Sequence, residues 1–167
     1  MELAWGLVES GRAVWLKGNH EADLVAALNQ GDWFAHRALA GSDTYRQLGD
    51  RHCRIWQERL AQLPCTYGGP GWLATHAGFD PASWQVDLSI RMAFWQAYDG
   101  RFGEVVIGHT PGPYVRRLGQ IVMVDTGACY GGELSAYCPE TGAVRSVPGL
   151  QQGQFGSFSQ QLQSCLP

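Results

Sequence analysis

The sequence predicts a mixed α/β domain, and two patterns in it carry that prediction. Short apolar runs of strand length alternate with longer stretches in which apolar residues recur at helical spacing. Three of the short runs also end alike, each passing from apolar residues to a histidine close to a glycine: VWLKGNHE (14–21), GWLATHAG (71–78) and EVVIGHTP (104–111). A repeated strand ending of this kind indicates a shared cause at one edge of a sheet.

Helical spacing predicts three helices and a helical insertion. Leu3, Leu7 and Val8 share one helical face, and Gly11 suits the end of that helix. The block 33–63 mixes polar and apolar residues around a turn at 40–43, so we expect a helical cap inserted between strands. The predicted helices are Glu2–Ser10, Glu21–Asn29 and His52–Leu63.

Apolar and β-branched runs predict four strands and one hairpin. The hairpin is expected around Glu140, Thr141 and Gly142, a sequence typical of a turn. The predicted strands are Ala13–Lys17, Trp72–Thr75, Glu104–Ile107 and Ile121–Val124, with Leu134–Tyr137 and Ala143–Val147 as the two arms of the hairpin.

Length and composition set the outer limits on function. The chain has 167 residues, 45% of them hydrophobic, which suffices for one domain (1–149) followed by a Gln- and Ser-rich tail (150–167). Its net charge is −3, and its Lys and Arg residues are scattered, so we expect no nucleic-acid partner. No apolar run reaches the length of a membrane helix and the first residues do not resemble a signal peptide, so we expect a cytoplasmic protein without a membrane partner.

The three histidine-bearing strand ends point to a metal site. A single histidine near a strand end is more often a hydrogen-bonded core or loop residue, but three in one setting favour a common site. The carboxyl ends of strands converge on the edge of an α/β sheet where ligands bind, so we expect His20, His76 and His109 to meet there. Neutral imidazole and amide oxygen both bind divalent ions, which makes Asn19, His76 and His109 candidate metal ligands and leaves His20 for proton or charge work.

These same residues carry a resemblance to a known family. GNHE (18–21), THAG (75–78) and GHTP (108–111), in that order, resemble the calcineurin-like metallophosphoesterases, and most closely the bacterial serine/threonine phosphatases of the phosphoprotein phosphatase family. Three further segments are similar to that family: AGSDTYRQLG (40–49), LSIRMAF (88–94) and VDTGACYGG (124–132). The resemblance implies a metallophosphoesterase-like β-sandwich flanked by helices (α/β/β/α).

The resemblance also implies a division of labour among the site residues. Asn19, His76 and His109 would bind the second metal of a two-metal centre, for which manganese is the implied ion and magnesium, iron or zinc are compatible. His20 would donate a proton to the leaving oxygen or stabilise it, and Arg91 would clamp the phosphoryl oxygens. Taken alone, Arg91 is typical of an exposed helix residue.

The sequence departs from the family at its beginning. The family's GDxHG and GDxxDRG motifs, which supply the first metal's ligands and a second phosphate-binding arginine, are not found in these 167 residues. The resemblance therefore implies an N-terminally incomplete fold in which the first metal lacks identifiable ligands. We expect weak metal binding, because the three remaining ligands are neutral. Asp80, Asp87 and Asp125 are further candidates for the neighbourhood of the site.

Two classes of function follow. The first is a metal-dependent phosphoesterase that hydrolyses phosphoserine and phosphothreonine in proteins or, as an alternative within enzymes, diadenosine tetraphosphate. The second is a non-catalytic protein that retains a phosphate-binding or partner-binding surface built from Arg91, His20 and the helical cap. The expected partners are a phosphorylated protein or a small phosphoester.

Overall fold

A computed structural model describes residues 1–149; the tail predicted at 150–167 lies outside the described residues. Four helices come first in the chain, and their ends are set by local side-chain chemistry. Asp32 accepts the backbone N–H of Ala35, and Ser42 accepts that of Tyr45, so each residue caps the helix that follows it. Gly49 leaves the helical conformation and divides the fourth helix. The helices are α1 (Glu2–Glu9), α2 (Asn19–Gln30), α3 (Trp33–Gly41) and α4 (Asp43–Ala61).

A five-stranded sheet forms the second half of the domain. Its strand order is β1-β2-β5-β7-β6. The three inner strands run parallel, whereas both edge strands run antiparallel to their neighbours. The carboxyl ends of β2, β5 and β7 therefore reach the same edge of the sheet. The strands are β1 (Thr66–Gly69), β2 (Trp72–Thr75), β5 (Glu104–Ile107), β6 (Arg116–Leu118) and β7 (Ile121–Met123).

Smaller elements surround this sheet. Two short strands pair antiparallel between β2 and β5, and a short helix follows them. The predicted hairpin forms, with Leu134 opposite Val147. Its first arm is one residue longer than predicted at each end, and its second arm extends one residue further, to Pro148. These elements are β3 (Gly78–Phe79), β4 (Val86–Asp87), α5 (Met92–Ala97), β8 (Glu133–Cys138) and β9 (Ala143–Pro148).

The buried apolar residues form two clusters. The helical core lies among α2, α3 and α4, and the sheet core lies between the sheet, α5 and the β3–β4 pair. The helical core consists of Leu24, Ala27, Leu28, Ala35, Leu39, Cys53, Trp56, Leu60 and Leu63. The sheet core consists of Phe79, Phe94, Val105, Ile107, Ile121 and Met123.

One predicted strand does not form. Ala13–Lys17 runs without regular secondary structure between α1 and α2. An apolar run becomes a strand only beside a partner that accepts its backbone hydrogen bonds. Across residues 1–149, the backbone N–H of Lys17 reaches the carbonyl of Pro64, but no bond is made by the backbone of Val14, Trp15 or Leu16.

No helix within residues 1–149 combines the length and the apolar character that crossing a membrane requires.

Candidate metal and phosphate site

Three residues from separate elements meet at the carboxyl edge of the sheet. Asn19 begins α2, His76 directly follows β2, and His109 lies two residues after β5. His76 Nε2 lies 2.9 Å from Asn19 Oδ1 and 3.2 Å from His109 Nδ1. The structure thus brings together the three side chains that the sequence nominates as metal ligands.

Gly18 makes the approach of α2 to His76 possible. The buried Gly18 precedes Asn19, and the Glu21 carboxylate accepts its backbone N–H at 2.8 Å, which fixes the start of the helix. A Cβ atom at position 18 would lie 2.9 Å from His76 Cε1 and 2.7 Å from the Glu21 carboxylate. Any side chain here would push the imidazole away from Asn19, so the contact depends on glycine.

His109 adopts a backbone conformation that is uncommon for a residue with a side chain. Its φ angle is +64°, in the left-handed region. Backbone hydrogen bonds hold the flanking chain, because Gly108 donates to the carbonyl of His76 and Thr110 donates to that of Gly108. Strain of this kind persists where the surrounding structure imposes it, and it concentrates at functional sites.

The surroundings keep both imidazoles neutral at pH 7. Burial lowers the pKa of His76 to about 4, and the neighbouring His109 and His20 add to the shift by repelling its charge. Burial is also the main cause that lowers the pKa of His109, and the positive charge of Arg91 is the second. Asp125 opposes both shifts. Neutral imidazoles keep a lone pair that can bind a metal.

The two separations measured among the three donor atoms suit ligands of one divalent ion. Ligand atoms about 2.1 Å from a common ion lie roughly 3.0 to 3.4 Å from one another, close to the separations found here. Within residues 1–149, His109 Nε2 is buried without a hydrogen-bond partner. The backbone of Ser89 acts to raise the pKa of this ring, against the effect of burial. Among residues 1–149 no three His, Cys, Asp or Glu side chains form a group that could hold a metal ion, so a metal site here would need the amide of Asn19 as its third donor.

Arg91 reaches the site from the loop before α5. Its Nε donates to Thr110 Oγ1 at 3.2 Å, and its charge acts on His109. Arg116 approaches Thr110 from β6 and donates from Nη2 to the backbone carbonyl at 3.4 Å. Sequence reasoning gave neither Thr110 nor Arg116 a role. Thr110 belongs to the GHTP segment, whereas the sequence around Arg116, at the start of the edge strand β6, contains no motif that points to the site.

His20 is exposed on the first turn of α2. It acts electrostatically on both His76 and His109, and its side chain also lines a cavity between α2 and α3. His20 therefore lies between the cluster of Asn19, His76 and His109 and the cavity.

The three further aspartates have different settings. Asp125 follows β7, where its Oδ1 accepts the N–H of Gly127 and its charge acts on both site histidines. Asp87 accepts the backbone N–H of Ser89 in a turn. That hydrogen bond is the main cause that lowers the pKa of Asp87, and the charge of His109 lowers it further. Asp80 accepts two backbone N–H groups in its own turn. Asp125 thus stabilises a turn and also lies close enough to the site to act on its histidines.

Comparison with known proteins identifies a similar fold. No family model and no curated protein matches the sequence. A solved structure that does match is the crystal structure of a putative diadenosine tetraphosphatase, with a TM-score of 0.66 and 21% sequence identity over 90% of this chain and 74% of that chain. The predicted mixed α/β fold is thereby confirmed, and it is similar to the fold of that structure.

Proposed function

We propose that this chain is a metal-dependent phosphoesterase with its centre at Asn19, His76 and His109. The observation that carries the proposal is their convergence: one imidazole nitrogen of His76 lies within 3.2 Å of a donor atom from each of the other two. The neutral state of both histidines and the likeness of the fold to a putative diadenosine tetraphosphatase support it further.

The proposed metal site uses these three residues for one divalent ion, with manganese as the preferred candidate. When bound, divalent ions supply phosphoesterases with an activated water and with positive charge that offsets the developing negative charge. The protein contributes fixed donors: Gly18 allows Asn19 to approach His76, and the backbone of 108–110 holds His109.

His20 and Arg91 would act directly on the substrate. His20 is exposed beside the cluster, where it can donate a proton to the oxygen of the leaving group. Arg91 uses Nε to hold Thr110, and within residues 1–149 its two Nη atoms have no hydrogen-bond partner. A guanidinium anchored in this way offers its remaining N–H groups to phosphoryl oxygens.

The preferred substrates are phosphoserine and phosphothreonine in proteins, on the resemblance of the GNHE, THAG and GHTP segments. Diadenosine tetraphosphate is a second candidate, favoured by the similarity of the fold to a putative diadenosine tetraphosphatase. Both reactions require the same clamp on a phosphoryl group and differ in the leaving group.

The direct test is Mn²⁺-dependent hydrolysis of p-nitrophenyl phosphate by the purified 167-residue chain. We expect His109→Ala to lower kcat/KM by at least about 100-fold, because it removes a metal ligand. Arg91→Ala should lower it by roughly 100-fold through loss of phosphoryl stabilisation. His52→Ala, which removes an exposed histidine on α4, is the matched control and should leave the rate unchanged.

Turnover that survives both His109→Ala and Arg91→Ala would contradict the proposal. Phosphate binding that depends on Arg91, without any turnover in the presence of Mn²⁺, would instead identify a non-catalytic phosphate-binding protein. Hydrolysis of phosphopeptides and of diadenosine tetraphosphate by the same preparations then separates the two substrate candidates.

A further inference from the structure

A cavity of about 560 Å³ lies between α2 and α3, beside the start of α4. Its floor is apolar and consists of core residues, whose small alanines leave the space open. The floor residues are Leu24, Ala27, Ala35 and Leu39. His20, the proposed proton donor, lines the same cavity. An occupant of the cavity would therefore adjoin a substrate phosphoryl group at the metal site.

The rim combines one exposed aromatic ring with negative charge. Phe34 lines the cavity although 73% of its surface is exposed. Asp23 and Asp43 supply two carboxylates; Asp43 pairs with Arg46, whereas Asp23 has no hydrogen bond or ion pair within residues 1–149. None of the described residues that line the cavity is Lys or Arg. The cavity thus offers apolar contact and an unpaired negative charge.

We propose that this cavity receives the peptide segment next to the phosphorylated residue of a protein substrate. An apolar side chain of the segment would cover the floor against Phe34, and a Lys or Arg would lie beside Asp23. The inference rests on the proposed function, since it assigns the leaving-group side of the same site.

Charge complementarity decides between this occupant and a nucleotide. The unpaired carboxylate of Asp23 attracts a cationic side chain and repels a polyphosphate chain, whereas the charge of Asp43 is offset by Arg46. Apolar floors with a few polar groups at the rim are typical of ligand sites of this volume. A basic and apolar peptide matches both features, whereas a dinucleoside polyphosphate matches only the apolar one.

Fluorescence anisotropy with two labelled phosphopeptides tests the charge assignment on the full 167-residue chain. The peptides are identical except for Arg or Glu close to the phosphoserine, and they are titrated with and without Mn²⁺. We expect the Arg peptide to bind about three- to fivefold more tightly, as an exposed ion pair allows. Asp23→Asn should remove this preference and Asp23→Arg should reverse it. Glu58→Gln, an exposed carboxylate on α4 outside the cavity, should keep it.

Two neighbouring aromatic residues provide a matched pair for the apolar contact. Trp33 precedes Phe34 on α3 and is 65% exposed, but it does not line the cavity. We expect Phe34→Ala to weaken binding of the Arg peptide roughly tenfold, as truncation of an aromatic anchor does. Trp33→Ala removes a ring that packs edge-on against Phe34, with ring centroids 5.1 Å apart, but that does not line the cavity, so it should weaken binding less than Phe34→Ala.

Equal affinity for the two peptides, no binding of either, or equal effects of Phe34→Ala and Trp33→Ala would each overturn the inference. We expect that diadenosine tetraphosphate does not displace either peptide. If that nucleotide bound tightly and Phe34→Ala abolished its binding, the cavity would be assigned to a nucleoside instead. Hydrolysis of p-nitrophenyl phosphate by the wild-type chain is measured alongside. Turnover without a peptide preference refutes this inference alone, whereas the preference without turnover refutes the proposed enzyme and retains the peptide site.

Discussion

The helical core and the sheet core of this domain are built on different principles. The helical core gathers residues from sequential helices around Trp56, which is 2% exposed and contacts Trp5 and Trp15. The sheet core instead joins strands far apart in sequence and packs them against Phe94, which is fully buried. Within residues 1–149 the two clusters of buried residues share no member.

The candidate metal site joins the helical half and the sheet half of the domain. Asn19 belongs to the helical side, and His76 and His109 belong to the sheet side. The position of one core relative to the other therefore sets the distances among the three donor atoms. A change within either core should reach the site only through that relative position.

The largest expected effect tests whether the two cores are energetically distinct. Trp56→Ala should lower the free energy of unfolding by about 3–5 kcal/mol, because it empties a large volume in the helical core. Ile55→Ala, at a neighbouring position that is 56% exposed, should change it by less than about 0.5 kcal/mol. Urea denaturation measures both values. Hydrogen exchange should show protection lost in α2–α4 first, and uniform loss across the sheet would contradict distinct cores.

Metal binding should couple the two cores. Mn²⁺ at about 100 times its Kd should raise the free energy of unfolding by about 2.7 kcal/mol, because the ion binds only the folded arrangement. Hydrogen exchange should slow at the start of α2 and at the ends of β2 and β5 together. EDTA should reverse the effect, and His109→Ala should abolish it. Stabilisation confined to one side would mean that the ion binds elsewhere.

A smaller effect should follow from adding a side chain at position 18, where α2 approaches His76. Gly18→Ala should cost about 1–3 kcal/mol and weaken Mn²⁺ binding, because its methyl group would press on His76 and Glu21. Gly6→Ala is the matched control. Position 6 is helical, and within residues 1–149 a Cβ atom placed there would have no heavy atom within 4 Å beyond its own helix backbone, so alanine should stabilise by up to about 1 kcal/mol. Titration calorimetry and urea denaturation of both variants provide the comparison.

The smallest expected effect concerns an exposed ion pair on the sheet side. Arg101 lowers the pKa of Asp99 to about 2, mainly by donating hydrogen bonds to the ionised carboxylate. Because the folded pKa lies below the ordinary 3.8, this pair stabilises the fold above about pH 4 and loses that effect as pH falls towards 2. Arg101→Gln should therefore lower the urea midpoint slightly at pH 6 and less at pH 2.5. Arg51→Gln, an exposed arginine on α4, should show no such pH dependence.

Much of the fold follows from sequence patterns, and the failures have physical causes. The strand predictions over Trp72–Thr75 and Glu104–Ile107 are confirmed because those strands lie inside the sheet, where apolar residues are required. The run Ala13–Lys17 has the same character, but within residues 1–149 only its two end residues make backbone hydrogen bonds and no strand pairs with it. Composition alone does not distinguish a strand from an apolar segment that lacks a neighbour.

The two edge strands of the sheet are not predicted, because they form strands without an apolar pattern in their sequence. Thr66–Gly69 carries two glycines and Arg116–Leu118 begins with two arginines, so neither shows an apolar strand pattern. The convergence of His76 and His109 was predictable, because both follow parallel strands of the sheet. Asn19 follows a segment that is not a strand, and it reaches His76 from the start of α2. The cavity was not predictable, because its lining depends on how α2 and α3 pack.

The left-handed backbone of His109 sets stability against the proposed metal-binding role at one position. A non-glycine residue there costs roughly 1–3 kcal/mol, which His109→Gly would partly recover. A selection for thermal resistance alone would therefore favour glycine at this position and discard the imidazole. Laboratory evolution of this chain should be screened for activity and heat tolerance together, since the two pressures oppose each other at residue 109.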